Sequence, residues 1–176
     1  MSKVIMYLAM SLDGKISGPD HDVAWLEEIP NPDQSDFGYT SFISGISTTL
    51  MGRTTYEWVK QQAVPWPYTS TDNYVFTTNQ AYQDNDEVSF VKEDHWAFLR
   101  SLKASAEKDI WLIGGAKLNL SCLAEGLIDE VIVNVMPVLL GEGTTLFEPP
   151  YERQWLHLIE SKNHGQAIEL RYEVKK

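Results

Sequence analysis

Arg53 is the first arginine in the chain, and the next is Arg100. It follows Gly52 at the end of the apolar run "STTLMG" and precedes Thr54 and Thr55. A guanidinium, two hydroxyls and the free N–H groups of a starting helix therefore converge at one point. A planar bidentate donor of this kind suits a phosphate monoester. The competing reading is a surface arginine paired with Glu57, one helical turn on. Further along, "IGGAKL" places Gly114 and Gly115 between an apolar strand and a helix. Glycines there let a ligand approach the backbone, and the helix N-terminus favours an anion such as a pyrophosphate. Tight strand–helix packing explains the two glycines equally well. The pattern is neither G-x-G-x-x-G nor a P-loop.

Other reactive residue types are harder to assemble. Asp36 reads as a helix cap and Asp13, in "SLDG", as a turn residue. The four histidines show no H-x-x-x-H spacing, so no metal site is expected. Cys122 is the sole cysteine, which rules out an internal disulfide, and its apolar helical setting reads as a buried small side chain.

Twenty-five acidic residues against 14 basic ones give a net charge of −11. That balance argues against nucleic acid, whose phosphates need a basic stripe. A phosphorylated small molecule must then be held by a few placed cations and helix N-termini. No segment reaches 18 consecutive apolar residues, so no membrane span is expected. No export signal is legible and a cytoplasmic protein is expected. The length of 176 residues predicts one domain over 1–176.

The elements that must position these groups follow from periodicity. Strands are predicted at "KVIMYLAM", "STTLMG", "NYVFTT", "EVSFV", "DIWLIGG" and "IDEVIVNVMPVLLG". Helices are predicted near 36–45 and at "RTTYEWVKQQ", "DHWAFLRSLKAS" and "AKLNLSCLAEGL". Thr54 and Glu57 have the spacing of a capping box, and Asp94 that of a cap. Residues 20–34 read as a loop with a short helical turn. "WLHLIESK" and "AIELRYEV", joined by "NHG", form a terminal antiparallel hairpin. Alternating strands and helices predict a mostly parallel sheet covered on both faces, with ligands at the carboxyl ends of the strands.

Three strand ends, "SLDGKISG", "MGRTTYE" and "LIGGAKL", followed by "DEVIVNVMPVLLGEGTTLF", resemble the dihydrofolate reductase fold family. The Pro137–Phe147 tail is similar to its riboflavin-biosynthesis branch, the reductase domain of the deaminase–reductases. The resemblance spans Val4 to Val174. It implies an α/β fold of dihydrofolate reductase type, a stand-alone NADPH-dependent reductase and a small-molecule substrate, with a homodimer as the common assembly. It places Gly52, Arg53, Thr54 and Thr55 at the 2′-phosphate side and Thr77 and Thr78 beside the adenosine. Gly114, Gly115 and Ala116 face the pyrophosphate, Ile113, Lys117 and Leu118 are further cofactor-binding positions, and Ala9 and Ile16 fall at the nicotinamide. It places Asp36 as a pocket carboxylate of raised pKa and Asn134 as its hydrogen-bond partner. Two alternatives remain open: a true dihydrofolate reductase, and a nucleotide-binding module without catalysis. Residues 54–99 contain no arginine for a folate tail, and residues 18–52 contain neither arginine nor lysine for a ribosyl phosphate. Trp25, Phe37, Tyr39, Trp66 and Tyr68 suggest a more aromatic pocket.

Overall fold

A computed structural model describes residues 1–62 and 65–175. Its centre is an eight-stranded sheet. The strands are β1 (Val4–Ser11), β3 (Ile46–Gly52), β4 (Asp72–Phe76), β5 (Ser89–Val91), β6 (Asp109–Gly114), β7 (Glu130–Met136), β9 (Leu156–His164) and β10 (Ala167–Val174). Their spatial order is β5-β4-β3-β6-β1-β7-β10-β9. The pairs from β5 to β7 are parallel, whereas β10 pairs antiparallel with both β7 and β9. Two short strands, β2 (Lys15–Ser17) and β8 (Thr144–Thr145), pair separately.

The helices are α1 (Tyr39–Ser44), α2 (Arg53–Gln61), α3 (His95–Ser105) and α4 (Ala116–Ala124). Alternation along the strands sorts their side chains onto two faces. Val4, Met6, Leu50, Ile110 and Leu112 point to one face and pack with Leu99 of α3 and Cys122 of α4. Ile5, Tyr7 and Trp111 point to the other and meet Phe42 of α1. Met51 and Val75, on that second face, pack on Tyr56 and Val59 of α2. The sheet is thus covered on both faces, and its inner strands are apolar on both sides.

Local departures from the predicted elements have physical causes. The helix predicted near 36–45 is shortened to Tyr39–Ser44, because Gly38 takes a positive φ of 83° at its start. The long strand before "PVLLG" stops at Met136, where Pro137 removes a ladder donor. Residues 19–26 form two single 3₁₀ turns. Asp94 occupies the start of α3 but makes no side-chain cap; its backbone carbonyl accepts from Phe98 instead. Cys122 is fully buried, and burial pushes its thiol up to about 12.

Candidate active site

β3 and β6 lie side by side, and each runs directly into a helix. Gly52 precedes α2 and Gly115 precedes α4, and neither start carries a side-chain cap. Neither first turn contains an acidic residue, although the chain is rich in them. Two helix N-termini with unspent N–H groups therefore open at the same end of the sheet, the carboxyl ends of β3 and β6. The Gly114–Gly115 peptide is cis. Gly114 has φ 117°, and a side chain there would stand 3.1 Å from Asn119 Nδ2. This backbone requires glycine. Asn119 is buried, and its Oδ1 has no hydrogen-bond partner.

Over these ends lies an open cleft of about 730 Å³. Its wall includes Gly52, Arg53, Thr77, Thr78, Lys117 and Leu118, which come from three separate stretches of the chain. His95 of α3 closes one side. It is stacked on Phe76 at 4.5 Å, and its Nε2 lies 2.9 Å from the Val91 carbonyl. The cleft thus pairs two cations with an aromatic wall in an acidic molecule. Thr55 faces Gly115, Ile113 packs in the cores behind, and Thr54 is not on the cleft wall.

Arg53 Nη1 donates to both carboxylate oxygens of Glu57, at 2.9 and 3.0 Å. The Tyr82 hydroxyl also donates to Glu57, and together Tyr82 and then Arg53 hold that carboxyl below its ordinary range. The predicted capping box does not form. The helix begins at Arg53, with Gly52 at the cap, so Glu57 is too far along to reach back. Pairing within the helix is therefore the state of Arg53 in this structure, and an incoming anion has to compete with Glu57.

The loop after β1 is tied down by Asp13, which is more than a turn residue. Its carboxylate accepts from Ser11 Oγ at 2.6 Å, Leu140 N–H at 3.1 Å and Gly141 N–H at 2.8 Å. These bonds, the Ser11 hydroxyl foremost, hold its carboxyl down at about 2. The loop carrying Ile16 is thereby fastened to the segment 138–146, and the β2–β8 pairing continues the join. Ala9 of β1 lies in register with Asn134 of β7 and packs in a cluster around Trp25.

On that face, toward α1, the sequence expectation needs correction. Asp36 is exposed. Its carboxylate accepts from the Gly38 and Thr40 N–H groups at 3.0 and 2.9 Å. Thr40 above all, then Gly38, lowers its carboxyl from the ordinary value, whereas a desolvated pocket acid would be raised. Asp36 here does the work of a helix cap. Asn134 is buried and its Oδ1 has no partner. On the same face the Tyr7 hydroxyl donates to the Phe37 carbonyl at 3.3 Å. Burial pushes Tyr7 up to about 12, and the charges of Glu169 and Asp36 add to the effect.

Sequence reasoning missed Glu169 and His164. Glu169 alternates with apolar residues in "AIELRYEV" and so reads as solvent-facing. It is only 9% exposed, in register with Asn134, with His164 Nε2 3.4 Å from its Oε2. No one-dimensional pattern marks an edge hairpin that curls over a neighbouring loop. Likewise Glu130, 2% exposed at the opposite end of β7, is paired with Lys3 and Arg171 far from the cleft. Among the described residues no cluster of histidine, cysteine and carboxylates is placed to hold a metal, and no helix is long and apolar enough to cross a membrane.

The chain matches the family described as the RibD C-terminal domain over residues 2–170. It is 39% identical to the uncharacterized protein YwjB of Bacillus subtilis (strain 168) over 171 residues, covering 97% of each chain. It is 26% identical to the dihydrofolate reductase of Mycoplasma genitalium over 135 residues, or 76% of each. Among solved structures, a Shewanella sp. PV-4 protein assigned provisionally to riboflavin biosynthesis superposes with a TM-score of 0.86 over the whole of both chains, at 27% identity. The fold, with its mostly parallel sheet and antiparallel C-terminal strands, is that of these proteins. The chain belongs to the RibD C-terminal domain family, a family of reductase type.

Proposed function

We propose that this protein is an NADPH-dependent reductase, similar to 5-amino-6-(5-phosphoribosylamino)uracil reductase, that reduces a small heterocyclic or carbonyl-like acceptor. The observation that carries this reading is the pair of uncapped, acid-free helix N-termini beside one cleft that also holds Arg53 and Lys117. This donor set fits a phosphorylated dinucleotide. The N–H groups of α2 and α4 would hold the pyrophosphate, with Gly114 and Gly115 leaving room for it. Arg53, exchanging its Glu57 partner, would take the 2′-phosphate, while Thr77 and Thr78 would flank the adenosine. Ala116, Lys117 and Leu118 would complete the pyrophosphate side, with Ile113 supporting the turn from the core behind. When bound, NADPH supplies the hydride.

The chain's own part is to position and shield. Ala9 and Ile16 would present backbone to the nicotinamide end, on a loop that Asp13 fastens in place. Asn134 would contact the acceptor. Asp36 would act as a positioning residue, holding the 36–40 turn whose Phe37 carbonyl receives the Tyr7 hydroxyl. A calorimetric titration tests the cofactor. NADPH binding in preference to NADH is expected; no binding of either sinks the reading.

A homodimer is also part of the proposal. Trp155, Leu156, Leu158, Ile159 and Ile168 are exposed along the edge hairpin, and an apolar sheet edge of that kind invites a second copy. A monomeric mass by analytical ultracentrifugation would overturn it.

A further inference from the structure

Tyr82 lies in the loop between β4 and β5, yet its hydroxyl ends on the carboxylate that restrains Arg53. Glu57 Oε1 receives two donors, the Tyr82 hydroxyl and Arg53 Nη1 at 2.9 Å, while Oε2 receives Arg53 Nη1 at 3.0 Å. The hydroxyl is fixed from behind. The Tyr82 ring centre lies 5.0 Å from that of Phe90 and 6.4 Å from that of Tyr56, which it meets edge-on. Side-chain bonds shape the loop itself. Asn79 Oδ1 accepts from Ala81 N–H at 3.0 Å, Asn85 Oδ1 from Glu87 N–H at 2.9 Å and Asp84 Oδ1 from Phe90 N–H at 2.8 Å. Lys60 of α2 pairs with Glu87 at 2.6 Å. The same stretch begins with Thr77, Thr78 and Asn79 on the cleft wall. One segment thus ties the wall of the cleft to the head of α2 and delivers a phenol to Glu57.

This arrangement bears on what Arg53 can do. An anion in the cleft gains the guanidinium only when Glu57 releases it. Two donors on Oε1 share its lone pairs, so Tyr82 loosens the hold of Glu57 on Arg53. Tyr82 also stays with the carboxylate after the guanidinium has left, and a charge-assisted hydrogen bond is kept where a bare carboxylate would otherwise stand. A neutral hydroxyl does this without adding a cation that would draw the phosphate away from Arg53. With a ring and no hydroxyl at 82, the carboxylate would depend on Arg53 and water alone.

We propose that Tyr82 is a specificity-determining residue for the cofactor: it takes over Glu57 as Arg53 turns to the 2′-phosphate, and so raises the preference for NADPH over NADH. Tyr82 acts through Glu57 and Arg53 and is a positioning residue. The proposal rests on the NADPH reading and adds to it a partner exchange and the residue that makes the exchange possible.

Tyr82→Phe removes the hydroxyl and keeps the ring against Phe90 and Tyr56. NADPH, NADH and adenosine 2′-phosphate are titrated by calorimetry into the parent, Tyr82→Phe, Glu57→Gln and the double variant. Tyr82→Phe is expected to weaken NADPH and adenosine 2′-phosphate about three- to fivefold, the scale of a charge-assisted hydrogen bond partly screened by water, with NADH unchanged. In the Glu57→Gln background the same substitution is expected to shift NADPH by less than about 1.5-fold, because the carboxylate it serves is gone. A purely structural tyrosine would weaken NADH as well, with or without that carboxylate. Tyr82→Phe that shifts NADPH and NADH equally, or shifts neither, overturns the proposal and leaves the cofactor reading intact. So does a loss for NADPH that is as large in the Glu57→Gln background. Adenosine 2′-phosphate that responds to Tyr82→Phe as expected, in a protein that ignores NADPH, keeps the exchange at Arg53 and removes the reductase reading. A parent that binds none of the three removes both.

Discussion

Cofactor preference offers the sharpest test, because NADPH and NADH differ only in the 2′-phosphate. The perturbation is Arg53→Ala. A well-made bidentate contact between guanidinium and phosphate changes affinity by about ten- to a hundredfold. Two features put Arg53 at the low end. Its side chain is 46% exposed, so water and salt screen it. Its guanidinium is also already satisfied by Glu57 at 2.9 and 3.0 Å, and that pairing must be given up. The expected loss is about tenfold in the ratio of NADPH to NADH affinity, with NADH itself unchanged. The paired variant Glu57→Gln should move the other way, tightening NADPH by about threefold, because a neutral amide no longer repels the phosphate. Calorimetric titrations with both cofactors at low and high salt measure this. The salt dependence of NADPH binding should shrink in Arg53→Ala. An NADPH-to-NADH ratio within twofold of the parent in Arg53→Ala refutes the reasoning. In that event Lys117→Ala, which removes the other cation of the cleft, shows whether the phosphate lies at α4 instead.

Gly114→Ala forces a side chain onto a backbone at φ 117° and against Asn119, so a loss of about 1–3 kcal/mol is expected in denaturant unfolding; an unchanged midpoint would show that the turn relaxes freely. Cys122, fully buried with its thiol raised to about 12, should react with a thiol reagent at pH 8 at least about a hundredfold more slowly than in denaturant, and equal rates would contradict the core placement. Asp13 is held at about 2, below its unfolded value, so its contribution is full above roughly pH 4 and is lost as pH falls through about 2. The melting temperature of Asp13→Asn should therefore lie below that of the parent at pH 7, and the gap should close toward pH 2; a gap that persists there assigns the loss to shape rather than charge.

Much of the fold was legible one strand at a time. Apolar runs such as "KVIMYLAM" and "DIWLIGG" have the composition of buried parallel strands, and the structure places both in the middle of the sheet. The glycines at 52, 114 and 115 announced strand-to-helix turns for the same local reason. Helix starts were less legible to the residue: Gly38 at φ +83° moves the start of α1 to Tyr39 while Asp36 still caps it, and Gly52 at the head of α2 leaves the predicted Thr54–Glu57 box inside the helix.

The cation pattern belonged to the sequence outright. An acidic chain with one early arginine at a helix start, and none nearby to neutralise a substrate's tail, can be read without coordinates. Which carboxylate faces the buried side could not be. Asp36 and Glu169 lie far apart in the chain, and each looks like an ordinary polar position. Only the packing of the 36–38 turn against the terminal hairpin exposes the first and buries the second. Likewise, only the adjacency of β3 and β6 brings two helix N-termini to one cleft. Local propensity is written residue by residue. Burial and convergence are properties of contacts across the sheet, and they come into being when its strands take their spatial order.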